Sequence, residues 1–231
     1  MPIQDDERRK EIIANWPPFL RNILKRVPGS DKMARLLDFV PWEPGHRETI
    51  LEMLPKQSVC AEVGVHRGDF SARILQIVNP KELHLMDPWK YETSSDYKEA
   101  MYGGAAKGGQ QEMDERCQLV RQRFASEIKS GQITIHRDFS SNVLSKFADG
   151  YFDWIYIDGN HLYEFVKQDL ELSLKKTKPK GYITGDDYQS GGWWRGGVKK
   201  AVDEFVREKP VELVTISNGK FVLRKNQHGV K

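Results

Sequence analysis

Val59-Cys60-Ala61-Glu62-Val63-Gly64-Val65-His66-Arg67-Gly68-Asp69-Phe70-Ser71 is the stretch whose reading decides the fold. A short apolar run reaches an acidic residue and two glycines, then opens into a segment with Phe70, Ile74, Ile77 and Val78 at helical spacing. The pattern predicts a strand, a tight turn and a helix. Glycines there let the backbone approach a ligand closely. In a doubly wound sheet, the crevice beyond the carboxyl end of such a strand is where nucleotide-like ligands lie. Taken alone, the stretch also reads as an ordinary turn between strand and helix.

The same unit recurs downstream. Leu83 to Met86 predicts a second strand ending at Asp87, about 20 residues past the glycine turn, where a carboxylate can accept hydrogen bonds from ribose hydroxyls. A turn carboxylate ahead of Pro88 is the alternative. Tyr91 to Gly109 is irregular and glycine-rich, either folding over a ligand or forming a long surface loop. Met113, Cys117, Val120, Phe124 and Ile128 then mark one face of a helix. Ile133 to His136 predicts a third strand, turning through Asp138 and Ser140 into a helix. Those two side chains are placed to touch an adenine edge, and they equally fit a helix N-cap.

The second half carries the distinctive chemistry. Phe152 to Ile157 predicts a buried strand running into Asp158-Gly159-Asn160-His161, and Gly181 to Gly185 a strand delivering Asp186-Asp187-Tyr188. If the two strands are neighbours, three carboxylates converge at one edge. Their mutual repulsion in a low-dielectric crevice invites a divalent cation, and oxygen-only ligands favour Mg²⁺ before Ca²⁺ or Mn²⁺. Trp193 and Trp194, between two glycine pairs, either stack on an acceptor ring or pack against the next helix. Near the end, Asn218-Gly219 between two apolar runs predicts a hairpin.

Composition sets the frame. In 231 residues, 30% are charged and 39% hydrophobic, a balance suited to one sizeable core with an appendage. A net charge of +3 without a basic stripe gives no reason to expect nucleic acid as a partner. Cys60 and Cys117 lack metal-ligand spacing and read as buried thiols in a reducing compartment. No segment has the roughly 20 apolar residues that cross a bilayer, and the first ten residues lack a signal peptide's apolar core, so neither membrane association nor export is expected. A cytoplasmic location follows as the simplest expectation. Residues 1–57 are polar helix interrupted by prolines, a lid, a cover or a dimer arm through which the chain would form a homo-oligomer.

Glu62-x-Gly64-x-x-x-Gly68, Asp87, Ile157-Asp158-Gly159-x-His161-x-Tyr163 and Gly185-Asp186-Asp187-Tyr188, in that order, resemble the class I S-adenosylmethionine-dependent methyltransferases. Within them the pattern is most similar to the metal-dependent small-molecule O-methyltransferases, particularly the bacterial sugar O-methyltransferases of antibiotic pathways. The catechol-type enzymes are more distant. The resemblance runs over residues 58–231. It implies an α/β fold, a Rossmann-like doubly wound sheet, mostly parallel, with an antiparallel C-terminal hairpin strand. It implies that Glu62, Gly64, Gly68 and Ser71 line the cofactor's methionine and ribose side, that Asp87 holds the ribose and that Asp138 and Ser140 lie near the adenine. Asp158, Asp186 and Asp187 would hold Mg²⁺ or another hard divalent cation, with the direct ligand of the Asp186-Asp187 pair left open. Catalysis would rest on Asp158 and on His161 as general base, acting on a hydroxyl of a small molecule such as a sugar or glycosylated natural product. An NAD-dependent oxidoreductase, a phenol or catechol O-methyltransferase and a non-catalytic cofactor-binding subunit remain the other readings. The NAD reading gives the three carboxylates no task.

Overall fold

Alternation along the central strands explains why both faces of the sheet are covered. In β1 (Val59–Val63), Cys60 faces one apolar layer while Ala61 and Val63 face the other. In the later strand Phe152–Ile157, Trp154 and Tyr156 go to the first layer and Ile155 and Ile157 to the second. Each of these fully buried large side chains contributes about 1.5 to 3 kcal/mol through lost contact with water. The structure is a computed structural model describing residues 48–227, all inside a compact unit that begins at Gly45.

In chain order the elements are α1 (Glu48–Met53), β1, α2 (Asp69–Val78), β2 (Glu82–Met86), α3 (Gly109–Arg123), α4 (Ala125–Ser130), β3 (Ile133–His136), α5 (Ser140–Leu144), β4 (Phe152–Ile157), α6 (Tyr163–Lys176), β5 (Thr177–Gly185), α7 (Gly197–Glu208), β6 (Val211–Ser217) and β7 (Lys220–Lys225). Among the described residues the strands form one sheet in the order β3-β2-β1-β4-β5-β7-β6. The neighbours from β3 to β5 pair in parallel, whereas β7 runs antiparallel to both β5 and β6. This is the expected α/β fold, mostly parallel with a C-terminal hairpin. Strand order reverses between β1 and β4, which opens the crevice at a topological switch point. At the hairpin turn Asn218 and Gly219 both adopt positive φ, 48° and 78°, the conformation for which the Asn-Gly pair is suited.

Two features differ from the sequence reading. The single helix expected to carry Met113 through Ile128 is broken at Phe124, where φ is −109°. The buried Phe124 ring lies over the turn at Gly68, so the chain bends to insert it. β5 begins at Thr177, directly after α6, with a register shift against β4. α1 and the turn after it, which belong to the extension expected over residues 1–57, pack against the sheet's first apolar layer. Ile50, Leu51 and Leu54 are buried in the first apolar layer, and Glu48 pairs with Arg73 of α2 at 2.9 Å. The proline-interrupted helices expected before residue 48 lie outside the described residues.

One polar group sits within the second layer's edge. His84 of β2 is buried against Phe147, Tyr151 and Phe152, and its Nδ1 lies 3.1 Å from Nε2 of His136 on β3. Burial, reinforced by His136, pushes the His84 pKa down to about 4, and burial near Arg116 does the same at His66. Below pH ~6.5 the unfolded chain takes up protons that the native state refuses until about pH 4. Each such group should therefore contribute a loss of stability as pH drops from ~6.5 to ~4, opposed by groups whose native pKa is raised, Asp169 among them. Urea denaturation at pH 7.5 and 4.5 should show His84→Leu shifted toward greater acid stability relative to wild type.

Candidate active site

The glycine turn is shaped by what passes over it. Gly64 has a φ of +88°, and a side chain there would overlap the backbone carbonyl of Asp158. Only glycine permits that approach. The Asp158 amide in turn donates to the Val63 carbonyl at 2.7 Å, tying the tip of β4 to the tip of β1. The amides of this turn are largely used internally. Gly64 donates to Met86, Gly68 to Val65, and the Val65 and His66 amides both reach Asp87 Oδ2, at 2.8 and 3.0 Å. They therefore do not form the open nest of donors that a pyrophosphate requires. Glu62 is buried beneath the turn and accepts a 2.5 Å bond from the Ser71 hydroxyl.

Asp87 stands at the tip of β2, as expected, but its carboxylate is engaged by the protein. Beyond the two turn amides it accepts from Trp89 N at 2.7 Å and from the Tyr102 hydroxyl at 2.5 Å, and it is 1% exposed. Burial raises its pKa above the usual carboxylate range, with these four donors opposing the rise. The two residues expected beside adenine are also committed. Asp138 accepts from the Phe139 amide and the Asn142 side chain at the entrance to α5, and Ser140 donates to Asp169 at 2.5 Å. Asp169, on α6, is buried and its pKa is pushed up to about 7. The sequence reading missed it, although an acid beside Val166 and Leu170 on an apolar stripe was the available signal.

At the carboxyl ends of β4 and β5 three ligand-type side chains meet. One atom each of Asp158, His161 and Asp187 lie within 4.8 Å of one another. His161 Nε2 sits 3.3 Å from Asp158 Oδ1 and 3.3 Å from Asp187 Oδ2. Burial works to lower the imidazole's pKa, but Asp158 first, then Asp187 and Asp186, outweigh it and raise it. Asp186, the third expected ligand, is turned inward. It is 5% exposed, its Oδ1 accepts the Asp187 amide at 2.8 Å and lies 3.3 Å from Lys220 Nζ, and its Oδ2 meets the Tyr156 hydroxyl at 3.5 Å. Lys220, supplied by the hairpin, was not singled out in the sequence reading. The residues present suit a divalent cation, though with one nitrogen where three oxygens were expected.

Aromatic rings wall this cluster. Trp194 stands 5.0 Å from the His161 ring and Trp193 5.9 Å from it. Tyr97, from the glycine-rich insertion, lies 5.5 Å from Trp193, and its hydroxyl accepts a bond from Asn160 at 2.7 Å. The insertion thus reaches the cluster instead of forming a detached surface loop.

Residues 61–188, more than half of the chain, match the family model described as a methyltransferase domain. No curated protein sequence matches. Among solved structures, cofactor-bound Rv0187 from MTB is 12% identical over 93% of this chain and 99% of that one, with a TM-score of 0.59. The O-methyltransferase TomG from Streptomyces achromogenes, involved in tomaymycin synthesis and solved with SAM, is 13% identical over 88% of this chain and 92% of its own, with a TM-score of 0.56. At these identities the likeness is one of fold.

The Asp87 network carries its own test. Asp87→Ala leaves three backbone amides and the Tyr102 hydroxyl without their acceptor, at about 1 to 3 kcal/mol for each group that stays buried. Urea denaturation without any cofactor should show a loss of at least ~3 kcal/mol. A loss under ~1 kcal/mol would mean that the carboxylate serves a ligand and not the turn.

Proposed function

The chain belongs to the family of that methyltransferase domain, and we propose that it transfers a methyl group from S-adenosylmethionine to a hydroxyl of a small molecule. The acceptor is a sugar or a glycosylated natural product. The observation that carries this reading is the meeting of Asp158, His161 and Asp187 directly beside the glycine turn, with Asp158 bonded to Val63 at 2.7 Å. A cofactor seated on the turn then has its reactive end next to the cluster. The internal use of the turn's amides also suits a cofactor without a pyrophosphate better than NAD.

Asp158 and Asp187 would hold a divalent cation, which lowers the pKa of an acceptor hydroxyl and orients its oxygen. Trp193, Trp194 and Tyr97 exclude water and present ring faces against which the apolar side of a sugar can stack. The acceptor oxygen passes its proton to His161 as general base and attacks the methyl carbon in line with the sulfonium. The C–S bond breaks as the C–O bond forms, and S-adenosylhomocysteine leaves.

The first measurement is thermal shift. S-adenosylhomocysteine at 100 times its Kd should stabilise the protein by about 2.7 kcal/mol, and NAD should not. Release of S-adenosylhomocysteine should then be followed with a panel of glycosides and phenols. Turnover should stop in EDTA and in Asp158→Asn, while the thermal shift persists in both. Stabilisation by NAD alone would overturn the assignment of the cofactor. Undiminished turnover in chelator would remove the cation from the reaction.

A further inference from the structure

We infer that the acceptor carries a phosphate or diphosphate group, held in a cation-lined cavity between the loop over residues 190–196 and α7. This rests on the reading of the chain as a methyltransferase acting on a small-molecule hydroxyl, and it names the chemical class of that molecule.

Charge is the first support. The cavity measures about 420 Å³, inside the range of roughly 300 to 1,000 Å³ that small-molecule sites occupy. Its lining sets Arg195, Lys199, Lys200 and Arg207 against only Asp203 and Glu204, a balance of +2. Both acids are already engaged. Asp203 accepts from Lys199 and from the Tyr188 hydroxyl, each at 2.5 Å, and Glu204 accepts from the Tyr163 hydroxyl. Among the described residues Arg195, Lys200 and Arg207 form no ion pair, and Lys200 lies 4.1 Å over the Tyr163 ring instead. Cations gathered around one hollow repel one another, and a bound anion relieves that repulsion. Gly196, also in the lining, precedes α7 without a side-chain cap, so the positive end of a 12-residue helix adds to the same field. A phosphate monoester carries about −1.5 to −2 at pH 7 and meets this balance, whereas a single carboxylate leaves much of it unmet. The two guanidinium forks suit phosphate oxygens in geometry as well.

Position is the second support. Ser190, in the lining, follows Asp187 by three residues, and Arg195 directly follows Trp194, whose ring stands 5.0 Å from His161. The start of α7 is packed onto the backbone of the cluster itself, since a side chain at Gly197 would overlap the His161 carbonyl and the Tyr163 amide. Arg195 has a left-handed backbone, with a φ of 51°. A glycine would adopt that conformation with less strain, so what arginine adds at this position is its side chain. A sugar stacked on Trp193 and Trp194 with its hydroxyl at His161 therefore has the cavity as its next neighbour along the loop.

The test is calorimetric binding of pyrophosphate, a hexose 1-phosphate and a nucleoside diphosphate hexose to the full chain, with and without S-adenosylhomocysteine. Wild type should bind one pyrophosphate, more weakly as salt rises. Arg195→Gly, which keeps the left-handed turn, and Lys200→Gln should each weaken it by about tenfold, whereas Arg121→Gln, exposed on α3, should not. Trp193→Ala should weaken the tighter of the two sugar ligands by about tenfold and leave pyrophosphate unchanged, because only the sugar reaches the aromatic wall. Which sugar ligand binds more tightly tells a monophosphate from a diphosphate. Circular dichroism melting identifies any variant that fails to fold, and the two cation variants test the cavity independently. Absence of pyrophosphate binding, binding that both cation variants leave intact, or displacement of pyrophosphate by S-adenosylhomocysteine would each overturn the cavity as the phosphate site. Stabilisation by S-adenosylhomocysteine in the same samples would leave the methyltransferase reading standing. Sugar ligands that bind no more tightly than pyrophosphate, or equally well to Trp193→Ala, would break the link between the cavity and the acceptor.

Discussion

A single buried carboxylate, Asp87, takes four donors from three stretches of chain: the glycine turn, Trp89 just beyond β2, and Tyr102 in the insertion. A group buried this deeply is tolerated because its charge is met by donors on both oxygens. Separately these segments are loops with few constraints. Joined through Asp87, they become one rigid rim along the carboxyl edge of the sheet. Trp89 is fully buried and donates its indole N–H to the His66 carbonyl at 2.9 Å, so the turn is gripped from its other side as well.

On the far side of the switch point the C-terminal hairpin has the corresponding role. Its turn brings Gly219 to the Tyr188 amide and Lys220 to Asp186, and so fixes how the chain leaves β5. The antiparallel strand is therefore more than a cover for the sheet edge. Without it the Asp186-Asp187 pair would have no fixed direction, and two adjacent acids would repel each other. With it, one is neutralised inward and the other projects toward Asp158.

The sheet was legible because its strands are apolar runs closed by glycines or acids, and the doubly wound order follows from alternating strands and helices. The hairpin was legible from Asn218-Gly219 alone. What the sequence could not place were contacts between residues far apart in the chain. Nothing local distinguishes Asp186 from Asp187, and the choice is made by Lys220, more than thirty positions away. Asp87 occupied its expected position, yet its donors come from residues 65, 66, 89 and 102, three of them backbone amides whose identity no side chain reveals. Ser140 looked like an adenine contact or a cap because its partner, Asp169, is a buried acid on a different helix. The break at Phe124 was hidden for a related reason, since its ring obeys the helical stripe while filling space over Gly68.

The aromatic wall joins the two halves of the site. Tyr97 belongs to the same insertion as Tyr102, whose hydroxyl is bound to Asp87, and it touches both Asn160 beside the cluster and Trp193 in the glycine-flanked loop. A displacement of the insertion would thus move the rim under the proposed cofactor and the wall beside the proposed acceptor together. In methyl transfer, the approach of oxygen to carbon has to be collinear with the departing sulfur, and errors near 1 Å cost orders of magnitude in rate. A shared mechanical support for donor and acceptor is one way to keep that line. It also accounts for the glycine pair at residues 103–104 and for Gly192. Side chains at Gly103 or Gly104 would overlap the backbone of Tyr97 or Lys98, and one at Gly192 would meet the Trp194 ring at 2.5 Å. Both loops are packed against their own aromatic anchors, and the walls they form hold their shape before any acceptor enters.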